Sequence, residues 1–172
     1  MTEDGRDTSN PVSRLADPLA WTLPEKCLLI AGIYLTFTLW YYGVWSYAAR
    51  YPDVAPYLDP TFLPTALRVQ TLTIIGWSAT ILFALLARWR GTEPPTLLAL
   101  TVVLAMYELI YGSHFFGLHT NMFGALTIVA SGAVGWVLLD RRVVNSAAAC
   151  LALAFIALGT MEQLGHLRSA VR

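Results

Sequence analysis

The feature that most restricts this chain is a series of long apolar stretches without charge. Leu28 to Ala49 contains no Asp, Glu, Lys or Arg, and Val69 to Ala87 and Val143 to Met161 are runs of the same kind. A bilayer core of about 30 Å is crossed by roughly 20 apolar residues in helical form. Between the second and third runs, Leu109 to Leu139 is uncharged over 31 residues, counting His as neutral. That is too long for one untilted span. Turn-forming Gly and Asn in Gly117-Leu118-His119-Thr120-Asn121 divide it in two. The expectation is an all-α, polytopic membrane bundle of five transmembrane helices, at about 26–50, 67–88, 96–117, 121–139 and 143–166.

Composition supports a membrane class. Only 13% of the 172 residues are charged, about half of what a soluble domain carries. Eleven basic and eleven acidic residues cancel, which argues against nucleic acid, whose binders present a basic surface. Cys27 and Cys150 are too few for a disulfide scaffold. Residues 1–24 are polar and lack the apolar core of a cleaved signal peptide. They read as a cytoplasmic tail ahead of a single transmembrane domain, 25–172. Leu23-Pro24-Glu25-Lys26 has Pro and an acid where a helix first turn wants them. Seven basic residues fall on the side of the N-terminus and four on the other. The positive-inside rule then places the N-terminus in the cytoplasm and, after five spans, the C-terminus outside.

Trp40, Trp45, Trp77, Trp89 and Trp136 are read as interfacial or packing residues, with Trp45 and Trp89 as interface anchors. Small residues of the last two helices, among them Ser131, Gly132 and Gly135, would let helices approach closely. Homo-oligomerisation through such faces, or assembly into a larger membrane complex, is one expectation. The loop Tyr51 to Pro64, with four prolines, would lie over the outer end of the bundle. Arg68, facing the same side, would bind an anion or a head group, or snorkel. Walker, nucleophile-elbow and dinucleotide-binding motifs are absent from the sequence.

Ionisable groups in apolar helices are costly and tend to carry function. Two acids stand in such positions, Glu108 and Glu162, and the three histidines are His114, His119 and His166. All five fall on the third helix, the turn after it, or the end of the fifth helix. The topology gathers them toward the outer face. Glu162 and His166 are four residues apart and share a helical face. Glu108, Tyr111 and His119 would align on an unbroken helix, with Gln163 and Asn121 as supporting hydrogen-bond partners. Three uses compete. Glu108, His114, His119, Glu162 and His166 are suitable ligand types for Cu, Zn or Fe. Alternatively His114 or His119 would pair with His166 on a haem. In the third reading the groups form a hydrogen-bonded network that holds helices together.

The segment Tyr111-Gly112-Ser113 through Asp140-Arg141-Arg142, followed by an Ala-rich span and Thr160-Met161-Glu162-Gln163-Leu164-Gly165, resembles integral-membrane sensor domains that precede bacterial nucleotide cyclases of the adenylate and diguanylate type. The resemblance implies a bacterial inner-membrane sensor in signal transduction and assigns no site residues. The functional expectation is a non-enzymatic sensor or ligand-binding module in the bilayer, with an outer-facing His/Glu site for a metal ion or haem. The alternatives are a small membrane enzyme acting on a lipophilic substrate and an accessory subunit.

Overall fold

The computed structural model describes the backbone of residues 17–51, 62–116 and 122–164, and their side chains except at 19, 62, 112–116, 122–128 and 162. After a short 3₁₀ turn, Pro18–Ala20, come five helices: α1 (Leu23–Ala48), α2 (Phe62–Trp89), α3 (Pro95–Phe116), α4 (Met122–Leu138) and α5 (Arg141–Gln163). The class is all-α, with helix limits close to those read from the sequence.

The number of spans is corrected. Among the described residues, three helices (α1, α2 and α5) are long and apolar enough to cross a membrane, against the five expected. α4 has 17 residues, about 26 Å at 1.5 Å per residue, short of a core of about 30 Å. α3 runs over 22 residues, Pro95–Phe116, and its apolar stretch among the described side chains, Pro95–Tyr111, contains Glu108.

The helix ends follow local chemistry. Glu25, in the first turn of α1, accepts hydrogen bonds from Thr22 N and Thr22 Oγ1 at 2.9 and 3.0 Å, occupying donors that a helix N-terminus leaves open. Glu93 accepts from Leu23 N at 3.2 Å, so the turn after α2 is tied to the start of α1. That turn is made by Gly91, at φ +63, a left-handed conformation that disfavours side chains. Thr92 N then closes back onto the Ala87 carbonyl at 2.9 Å, the pattern of a helix ended by a left-handed glycine. At the start of α5, Asp140 Oδ1 accepts from Arg142 N at 2.7 Å, and Trp136 donates to Asn145 at 3.2 Å across the tight α4–α5 connection.

The inward faces of α1, α2 and α3 repeat in alternating steps of three and four residues. On α1 the series is Cys27, Ala31, Tyr34, Thr38, Tyr41, Trp45 and Ala48. On α2 it is Leu63, Ala66, Gln70, Thr73, Trp77, Thr80, Ala84 and Ala87, and on α3 Leu97, Thr101, Leu104, Glu108 and Tyr111. All of these positions are buried or half-buried. A 3.5-residue repeat keeps each seam on its partner if the helices cross at about 20° in a left-handed sense. α1 and α2 form the most extensive pair and α3 packs on both, while α4 and α5 pack against α3 and each other. Cys27 meets Ala84 and Leu97 at one end, Trp45 meets Ala66 near the other, and Tyr34 stacks on Trp77 between them at 4.9 Å. Gly76 faces Leu104, where an added Cβ would stand 3.1 Å from Cδ2. The absence of a side chain there lets α3 approach α2.

The seam is unusually polar for helices in lipid. Thr38, Gln70, Thr73, Thr80 and Thr101 are all buried. Thr73, Thr80 and Thr101 return their hydroxyl protons to carbonyls four residues earlier, at 2.8 to 2.9 Å, and Thr38 Oγ1 lies 2.8 Å from the Tyr34 carbonyl. Local back-bonding satisfies a donor that hydrocarbon could not.

Candidate functional site

Glu108 is the inward-facing carboxyl of α3. The α1–α2–α3 register sets it beside Thr38 of α1 and Trp77 of α2. Trp77 Nε1 donates to Glu108 Oε2 at 2.6 Å, and Thr38 Oγ1 is in hydrogen-bond contact with Glu108 Oε1. Hydrogen bonds to an acid group are stronger than neutral pairs when the group is charged, and bonds made away from water gain further from the low dielectric. Trp77 has no exposed surface, and its ring lies against Tyr34 with an interplanar angle of 18°. Tyr34 Oη donates in turn to Ser131 Oγ on α4 at 2.8 Å. One carboxyl is therefore connected, through Thr38, Trp77 and Tyr34, to side chains of four helices.

Its depth differs from the outer position expected for the site. Trp77 is the sixteenth of 28 residues in α2, so Glu108 lies near the middle of the longest span. An α3 residue six positions further on, such as His114, is displaced by about 9 Å along the helix axis. Tyr111 does share the inward face of α3 with Glu108, as the spacing implied, and packs beside Trp45 and Ala66.

The other expected site residues are placed less fully. The backbone of His114 and Glu162 belongs to α3 and α5, while their side chains lie outside the described ones. His119, His166 and Asn121 fall outside the described residues, as does most of the proline-rich loop, 52–61. Gln163 is exposed. Among the described residues no group of three or more His, Cys, Asp or Glu is arranged to hold a metal ion. The described partners of Glu108 are an indole and a hydroxyl.

Trp77 and Trp45 correct the sequence reading. Trp77 is not interfacial; it is a buried donor to Glu108. Trp45 is only 8% exposed, whereas Trp89 is 83% exposed and sits where an interface anchor would. The alternation of Trp77 with Ala66, Gln70, Thr73, Thr80 and Ala84 at steps of three and four was the available signal, since an interfacial Trp need not keep the register of a seam. Small residues divide as well: Gly135 faces Val144 of α5, where an added Cβ would be in ordinary contact at 3.5 Å, but Gly132 faces open space.

A second polar feature lies at the opposite end from Trp45. A shallow cavity of about 280 Å³ is lined by Thr22, Glu25, Arg88, Gly91, Thr92 and Glu93, among others. Arg88 and Glu25 form an ion pair across it at 3.4 Å. Arg88 is 59% exposed, and a pair so open to solvent contributes little to stability.

Comparison with known protein families, with curated proteins and with solved structures finds no match.

Proposed function

We propose that this chain is a non-enzymatic membrane sensor or ligand-binding module whose responsive centre is Glu108. The observation that carries this reading is the link from one acidic side chain on α3 to Thr38, Trp77, Tyr34 and Ser131. A change of charge or partner at that carboxyl acts on α1, α2 and α4 together. A sensor needs two packings with different affinity for its ligand, and a shared polar hub gives the stimulus a common point of action. The resemblance to membrane domains that precede nucleotide cyclases favours the same class, with the bundle as the input half of a signalling protein.

The three apolar helices that meet the length for crossing support a place in the bilayer. α3 and α4 form a hairpin between α2 and α5, and a hairpin returns to the side on which it began. In this reading the turn after α2 and the start of α5 share the side of residue 22, which the basic residues assign to the cytoplasm. Metal binding by Glu108, His114, His119, Glu162 and His166, or haem binding by His114 or His119 with His166, stays a separate proposal. Elemental analysis and an absorption spectrum of the purified protein test it.

Paired spin labels on lipid-facing positions of α1 and α3 test the sensor reading in the full chain in nanodiscs. It expects two distance populations whose ratio changes in Glu108→Gln. One unchanged population in wild type and variant, with only thermal stability reduced, would assign Glu108 to structural pinning.

A further inference from the structure

Thr38 Oγ1 stands between two acceptors, the Tyr34 carbonyl at 2.8 Å and Glu108 Oε1. A hydroxyl carries one proton and two lone pairs. The other buried threonines of the seam spend theirs on the carbonyl four residues earlier. If Thr38 does the same, its contact with Glu108 joins two oxygens, and a proton between them has to come from the carboxyl. The opposite carboxyl oxygen, Oε2, accepts from Trp77, as the carbonyl oxygen of a neutral acid does. Every side-chain donor in the chain Trp77–Glu108–Thr38–Tyr34 then has an acceptor.

Among the described side chains the surroundings offer no compensating charge. α1 presents Tyr34 and Tyr41 toward this level of the bundle, and α3 itself contributes Tyr107 and Tyr111. α2 contributes no titratable group between Arg68 and Arg88, α4 contributes Ser131, and the only titratable group of α5 between Arg142 and Glu162 is Cys150, which is exposed. Lys and Arg are absent from 69–87 and 91–140. An unpaired carboxylate among apolar helices is costly, whereas a hydrogen-bonded neutral acid is not.

We propose that Glu108 is a proton-binding site, and that the hydrogen ion is the ligand to which this bundle responds. The proposal rests on the reading of Glu108 as the responsive centre. In the protonated form Oε1–H donates to Thr38 Oγ1 and Thr38 donates to the Tyr34 carbonyl, which ties α3 to α1. On deprotonation the O–H bond of Glu108 breaks, its electron pair stays on Oε1, and the proton passes to water. Thr38 then has one proton for two acceptors. If it turns to the carboxylate, the Tyr34 carbonyl loses its extra bond; if it stays, two oxygens face each other without a proton and α3 is pushed from α1. Tyr34 is also the residue stacked on Trp77 and bonded to Ser131, so the change reaches α2 and α4.

The test is pH-dependent infrared difference spectroscopy on the full chain in nanodiscs. The expected result is a protonated-carboxyl C=O band at neutral pH, lost in Glu108→Gln, kept in Glu162→Gln, and shifted in Thr38→Val, which removes the hydroxyl but keeps the shape. A wild-type spectrum without such a band, or a band that survives in Glu108→Gln, overturns the proposal. The α1–α3 label distances, read on the same samples, separate it from the broader reading. A band that titrates while the distances stay fixed establishes the proton site and refutes the sensor. Distances that shift without any Glu108 band refute the proton site and leave the sensor reading.

Discussion

Trp77 and Glu108 stand on consecutive antiparallel helices and are joined by a 2.6 Å hydrogen bond from indole Nε1 to carboxyl Oε2. The bond places the donor of a fully buried ring against the single acidic side chain of the seam. Removing either partner leaves the other with a polar atom in apolar surroundings, and the cost of that exceeds the net value of the bond itself.

Trp77→Phe keeps most of the ring volume and deletes the donor. The expected loss is about 1–3 kcal/mol from the unsatisfied acceptor, while Trp77→Ala adds a cavity and costs about 3–5 kcal/mol. Denaturation of the purified protein in mixed micelles measures both. Equal stability of Trp77→Phe and wild type would show that the bond contributes nothing.

Tyr34→Phe and Ser131→Ala each remove one side of the α1–α4 hydrogen bond. Each is expected to cost about 0.5–1.5 kcal/mol, and the double variant less than the sum of the two. A double-mutant cycle reads the coupling. Strict additivity would mean that Tyr34 does not hold α4 through Ser131.

Gly76 tests the close approach of α2 and α3. Gly76→Val pushes branched atoms toward Leu104, whose Cδ2 already lies 3.1 Å from the position of an added Cβ. Overpacking of this kind costs about 1–3 kcal/mol. Leu104→Ala in the same chain is expected to restore part of the loss, and an absence of rescue would place the strain elsewhere.

Gly91→Val is expected to destabilise by about 1–2 kcal/mol, because a β-branched residue is held at positive φ. Gly91→Asn should cost less, since Asn tolerates the left-handed region. Thermal midpoints of the two variants in detergent check the order; a reversed order would contradict the turn geometry.

Labelling checks the arrangement of the ends. In a chain with Cys27 and Cys150 replaced by Ala, Thr92→Cys and Arg141→Cys should react with an impermeant thiol reagent from one side, and Tyr51→Cys from the other. Thr92 and Arg141 reacting from opposite sides would mean that the α3–α4 hairpin does not return to its starting side.

The apolar runs and their charged or proline-bearing breaks were enough to read five helices and nearly all their limits. A helix satisfies its own backbone through bonds four residues apart, so its existence is written in contiguous sequence. Length leaves α4 short of the bilayer core, which its observed ends had to show. Glu108 stood out as an acid in an apolar stretch. Its partners did not, because Thr38 and Trp77 lie 70 and 31 residues away.

Local periodicity thus determined which residues turn inward: the steps of three and four are present in α1, α2 and α3 before any fold is known. Which inward residues meet was decided by the register between helices. Sliding α2 by one turn, about 5.4 Å, would leave every backbone hydrogen bond within the helices intact, yet carry Trp77 away from Glu108. That register comes from the fit of Trp45 on Ala66, Tyr34 on Trp77 and Cys27 on Ala84 together, a condition of three-dimensional packing that no single helix contains.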